Sequence, residues 1–530
     1  MKKGLALVLI QIFTLLSTYG QNPFLPLWEY IPDGEPYVFE DPDKPGEYRV
    51  YIYGSHDTRI TDYCGKEQVV WSAPLNDLTD WRYDGIAFQV IKDRDGNFLN
   101  DDHEGDVLMA PDIVETIESD GTKTYYFYPN NVMGGRQTMV AKGSRPDGPF
   151  EVINWSPDDP KATVGVIGFD PGVFIDDDGK VYAYWGFMKS HVAELDPKTM
   201  ATLMPGTEIT EDLIPSFEQD DKFRFFEASS MRKIKDKYVL VYSRFTRDGE
   251  FGLPIINYTL AYAYGDTPKG PFTYGGTIID GRARGLDRDG NVIPTASPWG
   301  NTHGSLVETD GQWWIVYHRQ TGTNEYSRQA MVAPVEVIVE EGPGGKVTIS
   351  EGEVTSEGFM IQGLNPLDKI PAGLACYHVG PQKAYTEGYQ NTRPYIKPTY
   401  FDPKSTAGPF NQKEPFCPVV NITSGSVIGY KYLNFSKLRD KDGKYEINME
   451  IIPEGPEATV DVLIGGPSVE QGGEIIGRST IPCSSVKEME TVKVPINIPE
   501  NTTGKVALYF SFTSPQKNVP ICEFYDFRFK

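Results

Sequence analysis

Five polar residues, Asp33, Asp112, Asp170, Glu227 and His303, occupy the same position in a repeated pattern. Each leads an apolar run, an acidic turn and an aromatic run. The third copy is the clearest. Asp170 precedes the apolar Val173 to Ile175, Asp177-Asp178-Gly179 makes a turn, and Val181 to Tyr184 follows as an alternating strand. Two or three carboxylates gathered in a concave pocket suit glycoside hydrolysis: a protonated carboxylic acid donates to the leaving oxygen, and a carboxylate activates water or attacks the sugar. A third carboxylate raises the pKa of the acid beside it. A single Asp before Pro or Gly reads as a turn residue. The case therefore rests on repetition, with four of the five slots acidic. Phe169, Phe225 and Phe226 flank two of the leaders, and carboxylates beside phenyl rings are costly to bury unless the chemistry uses them.

Two alternating runs joined by an Asp-Gly turn are a β-hairpin signal. The other hairpins are read at Ile31–Phe39 with Tyr48–Gly54, Ala110–Val114 with Tyr125–Tyr128, Phe226–Met231 with Tyr238–Tyr242, and Thr302–Val307 with Trp313–Tyr317. Asn22 to Tyr30, ahead of them, reads as an irregular arm. The leaders lie roughly 60–80 residues apart, the length of a propeller blade or more. With further strand-like runs between the hairpins, the pattern predicts a five-bladed β-propeller whose innermost strands line a channel and whose leaders converge on one mouth of it. Beyond about Glu351 the pattern changes. Gly380 to Pro415 is rich in Pro, Gly, Tyr and Lys. Short β runs then return at Ser426–Leu433, Tyr445–Ile451, Thr459–Ile464, Glu490–Ile496, Lys505–Phe512 and Ile521–Phe529, which predicts a β-sandwich of jelly-roll type. No long helical periodicity is present. The expected chain is all-β: residues 1–20 a signal peptide, 21–365 the propeller, and 366–530 a linker and sandwich.

The signal-peptide expectation comes from Lys2 and Lys3, the apolar run Leu5–Leu16 and the small-residue segment Ser17–Gly20. The run is too short to span a membrane comfortably, so the mature chain is expected in the periplasm or outside the cell, with no transmembrane segment. No Cys follows closely enough for a lipid anchor. The 530 residues carry 50 Lys plus Arg against 74 Asp plus Glu. That balance argues against nucleic acid as a partner, because phosphate binding needs clustered positive charge. Five cysteines, Cys64, Cys376, Cys417, Cys483 and Cys522, show no metal-ligand spacing. Disulfides in the last third and buried free thiols are both compatible with them.

The five-unit pattern resembles glycoside hydrolase family 43. Asn22–Phe39 and Tyr53-Gly-Ser-His-Asp57 resemble its β-xylosidase and α-L-arabinofuranosidase branch, over roughly residues 22–361. The resemblance implies an inverting, exo-acting hydrolase with a water nucleophile, removing xylose or arabinofuranose from plant oligosaccharides or polysaccharides. It implies Glu227 as general acid and Asp170 as the residue that modulates and orients it. The general base falls in Pro32-Asp-Gly-Glu-Pro36, which departs from the usual Asp-Pro form. Matching Glu35-Pro to Asp170-Pro puts Glu35 in the leader slot, whereas family usage favours Asp33; the two share a strand face. Asp33 is taken as the base, with Glu35 as the alternative or as a sugar contact. His303 alone reads as a core residue, but relatives often hold calcium near this His. The resemblance therefore implies a calcium ion there, held mostly by water and acting electrostatically. Arg328 resembles a late arginine that reaches the pocket. Trp71 and Trp299 are candidate sugar platforms, and pocket walls are expected from Asp93–Gly105 and Ile279–Pro298. The sandwich resembles family 6 carbohydrate-binding modules through Ile428–Asn434 and Phe524–Phe529. A catalytically silent glycan-binding propeller is the alternative reading.

Overall fold

The computed structural model describes residues 20–58, 62–131, 136–219, 222–322, 324–398, 417–438, 443–484 and 486–530. The expected signal peptide lies outside them, save Gly20. Alternating aromatic and small residues around Asp-Gly turns fold as antiparallel meanders, four strands to a blade. Blade one is Glu35–Glu40, Tyr48–Tyr53, Gln68–Pro74 and Arg82–Phe88. Blade two is Met109–Ile117, Lys123–Asn130, Ala141–Gly143 and Glu151–Val152. Blade three is Gly172–Ile175, Val181–Trp185, His191–Leu195 and Thr210–Glu211. Blade four is Phe225–Ile234, Lys237–Arg244, Thr259–Gly265 and Thr273–Asp280. Blade five has three strands, Ser305–Thr309, Gln312–Arg319 and Gln329–Val335.

The open edge of blade five is covered by the arm expected to be irregular. The Phe24 amide donates to the Ala330 carbonyl at 3.3 Å. The Asn22 side chain donates to the carbonyls of Val332 and Thr355 at 2.6 and 3.1 Å and accepts from the Val332 amide at 2.9 Å. One buried asparagine thus substitutes for a strand, satisfying backbone groups that an exposed edge leaves unpaired. The first and last blades also meet inside, where Gly34 bridges to Gly304. A Cβ on Gly304 would stand 1.9 Å from the Val316 carbonyl oxygen, so only glycine permits that approach.

The C-terminal unit is a nearly closed sheet. Its strands run in the order Tyr377–Val379, Val427–Asn434, Lys505–Thr513, Ala458–Ile464, Glu474–Ile481, Glu490–Asn497, Lys444–Pro453, Cys522–Phe529, Val419–Ile422 and Tyr395–Ile396. The six expected runs are all strands. Glu474–Ile481 and Val419–Ile422 lacked a clear signal in sequence. Phe510, Phe524, Phe527 and Tyr430 fill the core. The His378 amide donates to the propeller's Thr295 carbonyl at 2.7 Å, which ties the linker to the catalytic unit. All five cysteines are free, four of them buried and Cys483 exposed, so the disulfide option fails. Among the described residues the only α-helix is the single turn Tyr389–Thr392.

Candidate active site

Asp33, Asp170 and His303 each stand two residues ahead of the first residue of an inner strand, at Glu35, Gly172 and Ser305 respectively. Asp33 and Asp170 also share a left-handed backbone, with φ of 61° and 51°. This corrects the motif match that put Glu35 in the leader slot. The left-handed residue breaks the strand alternation, so Asp33 and Glu35 do not share a face. Glu227 lies inside its strand, where register shifts on both sides and φ of 65° at Ala228 re-aim it. Asp33, Asp170, Glu227, His303 and Arg328 line one pocket of about 340 Å³, walled by Phe169, Phe187, Phe226, Tyr63, Asn257 and Glu325.

Asp33 is held on every side. Ser55 Oγ donates to Oδ2 at 2.6 Å. Arg328 Nη1 donates to Oδ1 and Oδ2 at 3.0 and 3.2 Å. The Asp33 amide donates to His318 Nδ1 at 3.1 Å. His318 Nε2 must then carry the ring proton, which it donates to the Asn301 carbonyl at 2.9 Å. Arg328 is itself fixed by Asp57, which accepts from its Nε, Nη2 and amide at 2.9 to 3.0 Å. Burial alone would raise Asp33, but Arg328, His318, His303 and Ser55 outweigh it and keep the carboxyl below its ordinary range. Asp33 is therefore an anion.

The opposite holds for Glu227. Burial, then the charges of Asp170 and Asp33, push its carboxyl well above the glutamate range despite His303 and Arg328. Burial likewise lifts Asp170 to about 7, with Asp33 adding to the rise and His303 opposing it. Asn130 Nδ2 orients Asp170 through a 2.8 Å bond to Oδ1. The rings of Phe169, Phe187 and Phe226 make the apolar wall, with centroids 5.6 Å apart for the first pair and 5.1 Å for the second. Phe225, expected beside them, points the other way into the blade against Tyr242.

Glu35 does not line the pocket. It is 1% exposed and lies deeper in the channel, where Arg232 Nη2 and Ser230 Oγ donate to Oε2 at 2.8 and 3.0 Å. Burial pushes Glu35 up, but Arg232 and His303 more than offset it. Arg232 also donates to the Leu306 carbonyl and stacks on Tyr37, so one ion pair locks blades one, four and five together. Asp112 performs the same service for blades one to three, accepting from Tyr37 Oη at 2.7 Å and from the Val173 amide. Glu35 is thus corrected from sugar contact to channel brace.

Between these groups sits His303, with Nε2 3.5 Å from Glu35 Oε1 and Nδ1 3.9 Å from Asp170 Oδ2. Both ring nitrogens and Glu35 Oε1 are buried without a hydrogen-bond partner. Burial opposes the charged ring, but Glu35, Asp170 and Asp33 together raise it to about 9. A calcium ion takes six to eight oxygens. Here Oε2 of Glu35 is already committed to Arg232 and Ser230. Among the described residues, no group of three metal-ligating side chains is placed to hold an ion. The unpartnered His303 nitrogens and Glu35 Oε1 could contribute to an ion held mostly by water, but they do not make a site of direct protein ligands alone.

Trp71 is 1% exposed; its indole donates to Glu29 at 2.8 Å inside the blade-one core. It offers no face to a sugar. Trp299 lines a neighbouring recess rather than the carboxylate pocket. Neither Asp93–Gly105 nor Ile279–Pro298 reaches the pocket wall, which Tyr63, Phe187, Asn257 and Glu325 supply instead. The residues missed in sequence are Ser55, Asp57 and Asn130. Ser55-His-Asp57 directly after a blade strand was the available signal for the first two; Asn130 had none.

Comparison with known proteins agrees with this geometry. The model of glycosyl hydrolases family 43 matches residues 38–340. The chain belongs to that family. It is 29% identical over 512 residues to a xylosidase/arabinosidase of Thermoclostridium stercorarium, covering 93% of this chain and 95% of that protein. It is 30% identical over 259 residues to a β-xylosidase of Xylanibacter ruminicola, covering 43% and 71% respectively. Among solved structures, a family 43 β-xylosidase/α-arabinofuranosidase from a compost microbial metagenome, in complex with xylotriose and in a calcium-free form, is 23% identical. It covers 62% of this chain and 97% of its own, with a TM-score of 0.41. The family 43 protein described here is a glycoside hydrolase of the xylosidase/arabinofuranosidase type.

Proposed function

We propose that this hydrolase is an exported, inverting exo-enzyme that removes β-D-xylosyl or α-L-arabinofuranosyl ends from plant cell-wall polysaccharides or oligosaccharides. The carrying observation is the separation of protonation states across one pocket, with Asp33 anionic and Glu227 protonated. In this reading Glu227 donates its proton to the glycosidic oxygen as the C–O bond breaks. Asp33 takes a proton from the water that forms the new C–O bond on the opposite face of the sugar. Asp170, beside Glu227, keeps that acid protonated until the leaving oxygen takes the proton. A pocket of about 340 Å³, walled by Phe169, Phe187 and Phe226, has room for a single sugar unit, which supports removal of a terminal residue.

The similarity to a xylosidase/arabinosidase along nearly the whole chain supports the pentose assignment. The charged, apolar and small-residue order of residues 1–20 supports export. The reading carries no step through calcium. Nitrophenyl β-D-xyloside and α-L-arabinofuranoside, each assayed with and without a chelator, test substrate and metal together; release of a pentose is expected, and a lower rate with chelator would report the calcium that the resemblance implies near His303. Proton NMR of the first-formed sugar should show the inverted anomer. Glu227→Gln should lower kcat roughly 10²–10⁴-fold with the fold intact. Full activity in that variant, or glycan binding without any sugar release by the unaltered protein, would overturn the reading in favour of a silent binder.

A further inference from the structure

Next to the carboxylate pocket, and sharing Tyr63 and Glu325 with it, is a second recess of about 340 Å³. Its other walls are Ser297, Trp299, Asn324 and Tyr326 from the propeller, and Gln390 and Arg393 from the linker that leads to the sandwich. The two units therefore build it jointly. Trp299 is wedged in place by Tyr385 and Tyr389, with ring centroids 6.2 and 6.1 Å away, and the Arg393 guanidinium carbon lies 6.0 Å from its ring.

Arg393 is the unusual member. It is 1% exposed, and one nitrogen, Nη2, donates to the Gly322 carbonyl at 2.9 Å. Nε and Nη1 are buried with no partner. Among the described residues no carboxylate lies within ion-pair distance of it, whereas buried Arg328, Arg282 and Arg136 pair with Asp33 and Asp57, Asp280 and Asp106. Buried Arg319 also lacks a carboxylate, but Gln329 and the carbonyls of Ala375 and Gly373 accept from all three of its nitrogens. The groups that favour its charge are the phenols of Tyr389, Tyr258 and Tyr395. A buried guanidinium lacking both a counter-charge and two hydrogen-bond acceptors is expensive to keep. A ligand that supplied both would bind where the protein itself supplies neither, and this in a chain whose net charge of −24 otherwise repels anions.

We propose that this recess binds the carboxylate of a uronosyl substituent, so that the hydrolase recognises acid-decorated chains one sugar away from the bond it cleaves. The uronosyl ring would pack on Trp299, its carboxylate would meet Arg393, and its hydroxyls would face Gln390 and Ser297. The placement next to the cleavage pocket rests on the proposed glycosidase function. The anion site itself does not.

The test is a calorimetric titration of the full-length protein with methyl α-D-glucuronoside and with methyl α-D-glucoside, which share a ring and differ by the carboxylate alone. The glucuronoside is expected to bind about tenfold tighter, the increment of one charge-assisted hydrogen bond. Arg393→Gln should abolish the preference, and Arg393→Lys, which keeps the charge, should retain part of it. Equal affinities in the unaltered protein, or a preference that survives Arg393→Gln, would overturn the proposal. If Arg393→Gln does not fold, the unaltered protein and Arg393→Lys still decide, because a preference unmoved by the lysine would place the anion elsewhere. Hydrolysis of nitrophenyl pentosides, measured alongside, reports separately on the glycosidase reading.

Discussion

Arg328 holds Asp33 through both carboxylate oxygens at 3.0 and 3.2 Å while its other edge is gripped by Asp57 at 2.9 Å. Three residues from opposite ends of the catalytic unit thus form one charged relay whose purpose is to keep the Asp33 carboxylate ionised and aimed. The relay alternates in sign, so removing its cation leaves two buried anions facing each other.

Arg328→Lys should expose that dependence. Lysine keeps one charge but cannot bond Asp33 and Asp57 in the same fork. Asp33 then loses part of what offsets its burial and its pKa rises. If Asp33 is the ionised base, as proposed, the acid limb of the kcat/KM profile should move to higher pH, with a loss on the order of a hundredfold at its plateau. An unmoved acid limb would assign that limb to another group.

Asp170→Asn should act on the other limb. Burial is the largest cause holding Glu227 up, and the negative charge of Asp170 is the next. Neutralising Asp170 removes the second and leaves the first. The Glu227 pKa falls toward the usual range, the acid is lost at lower pH, and the basic limb of the profile should shift acidward. The pH–rate curves of the two proteins, measured on the same nitrophenyl glycoside, check the sign.

Trp71→Phe separates a core residue from a sugar platform. The substitution removes the indole donor to Glu29 and leaves a buried carboxylate oxygen short of a partner. A loss of about 1–3 kcal/mol in unfolding free energy is expected. KM for small glycosides should stay within about twofold, since the ring faces blade one and not the pocket. Denaturant unfolding and steady-state kinetics on one preparation give both numbers.

Asn22→Ala tests the ring closure. It removes the side-chain donor to the Val332 and Thr355 carbonyls and the acceptor of the Val332 amide. With the arm no longer pinned, stability should drop by roughly 2–4 kcal/mol. Amide exchange should accelerate first in Gln329–Val335, ahead of blades two to four.

Much of the fold was legible in sequence because its signals are local. Asp176 to Gly179 turns a chain whose flanks alternate with period two, and the structure pairs Val173 with Ala183 as that turn requires. The same holds for the five blade hairpins and six of the sandwich strands, and for the leaders Asp33, Asp170 and Glu227 at the channel mouth, whereas the leader Asp112 lies deeper, as a brace between blades. Glu474–Ile481 escaped because its apolar residues are too sparse to show a period.

What the sequence determined by itself, then, is the all-β architecture, the number of blades and the set of carboxylates Asp33, Asp170 and Glu227. Hairpin formation and leader position depend on neighbours a few residues away. The tertiary structure alone decided which of Asp33 and Glu35 faces the pocket, because a left-handed backbone at Asp33 cancels the alternation that sequence reasoning assumes. It alone revealed the Asp57–Arg328–Asp33 relay and the meeting of Trp299 with Arg393, since closing the ring and docking the linker bring together residues far apart in the chain. It also withdrew Trp71 into the core, because a tryptophan presents the same pattern whether its face meets a sugar or a neighbouring strand.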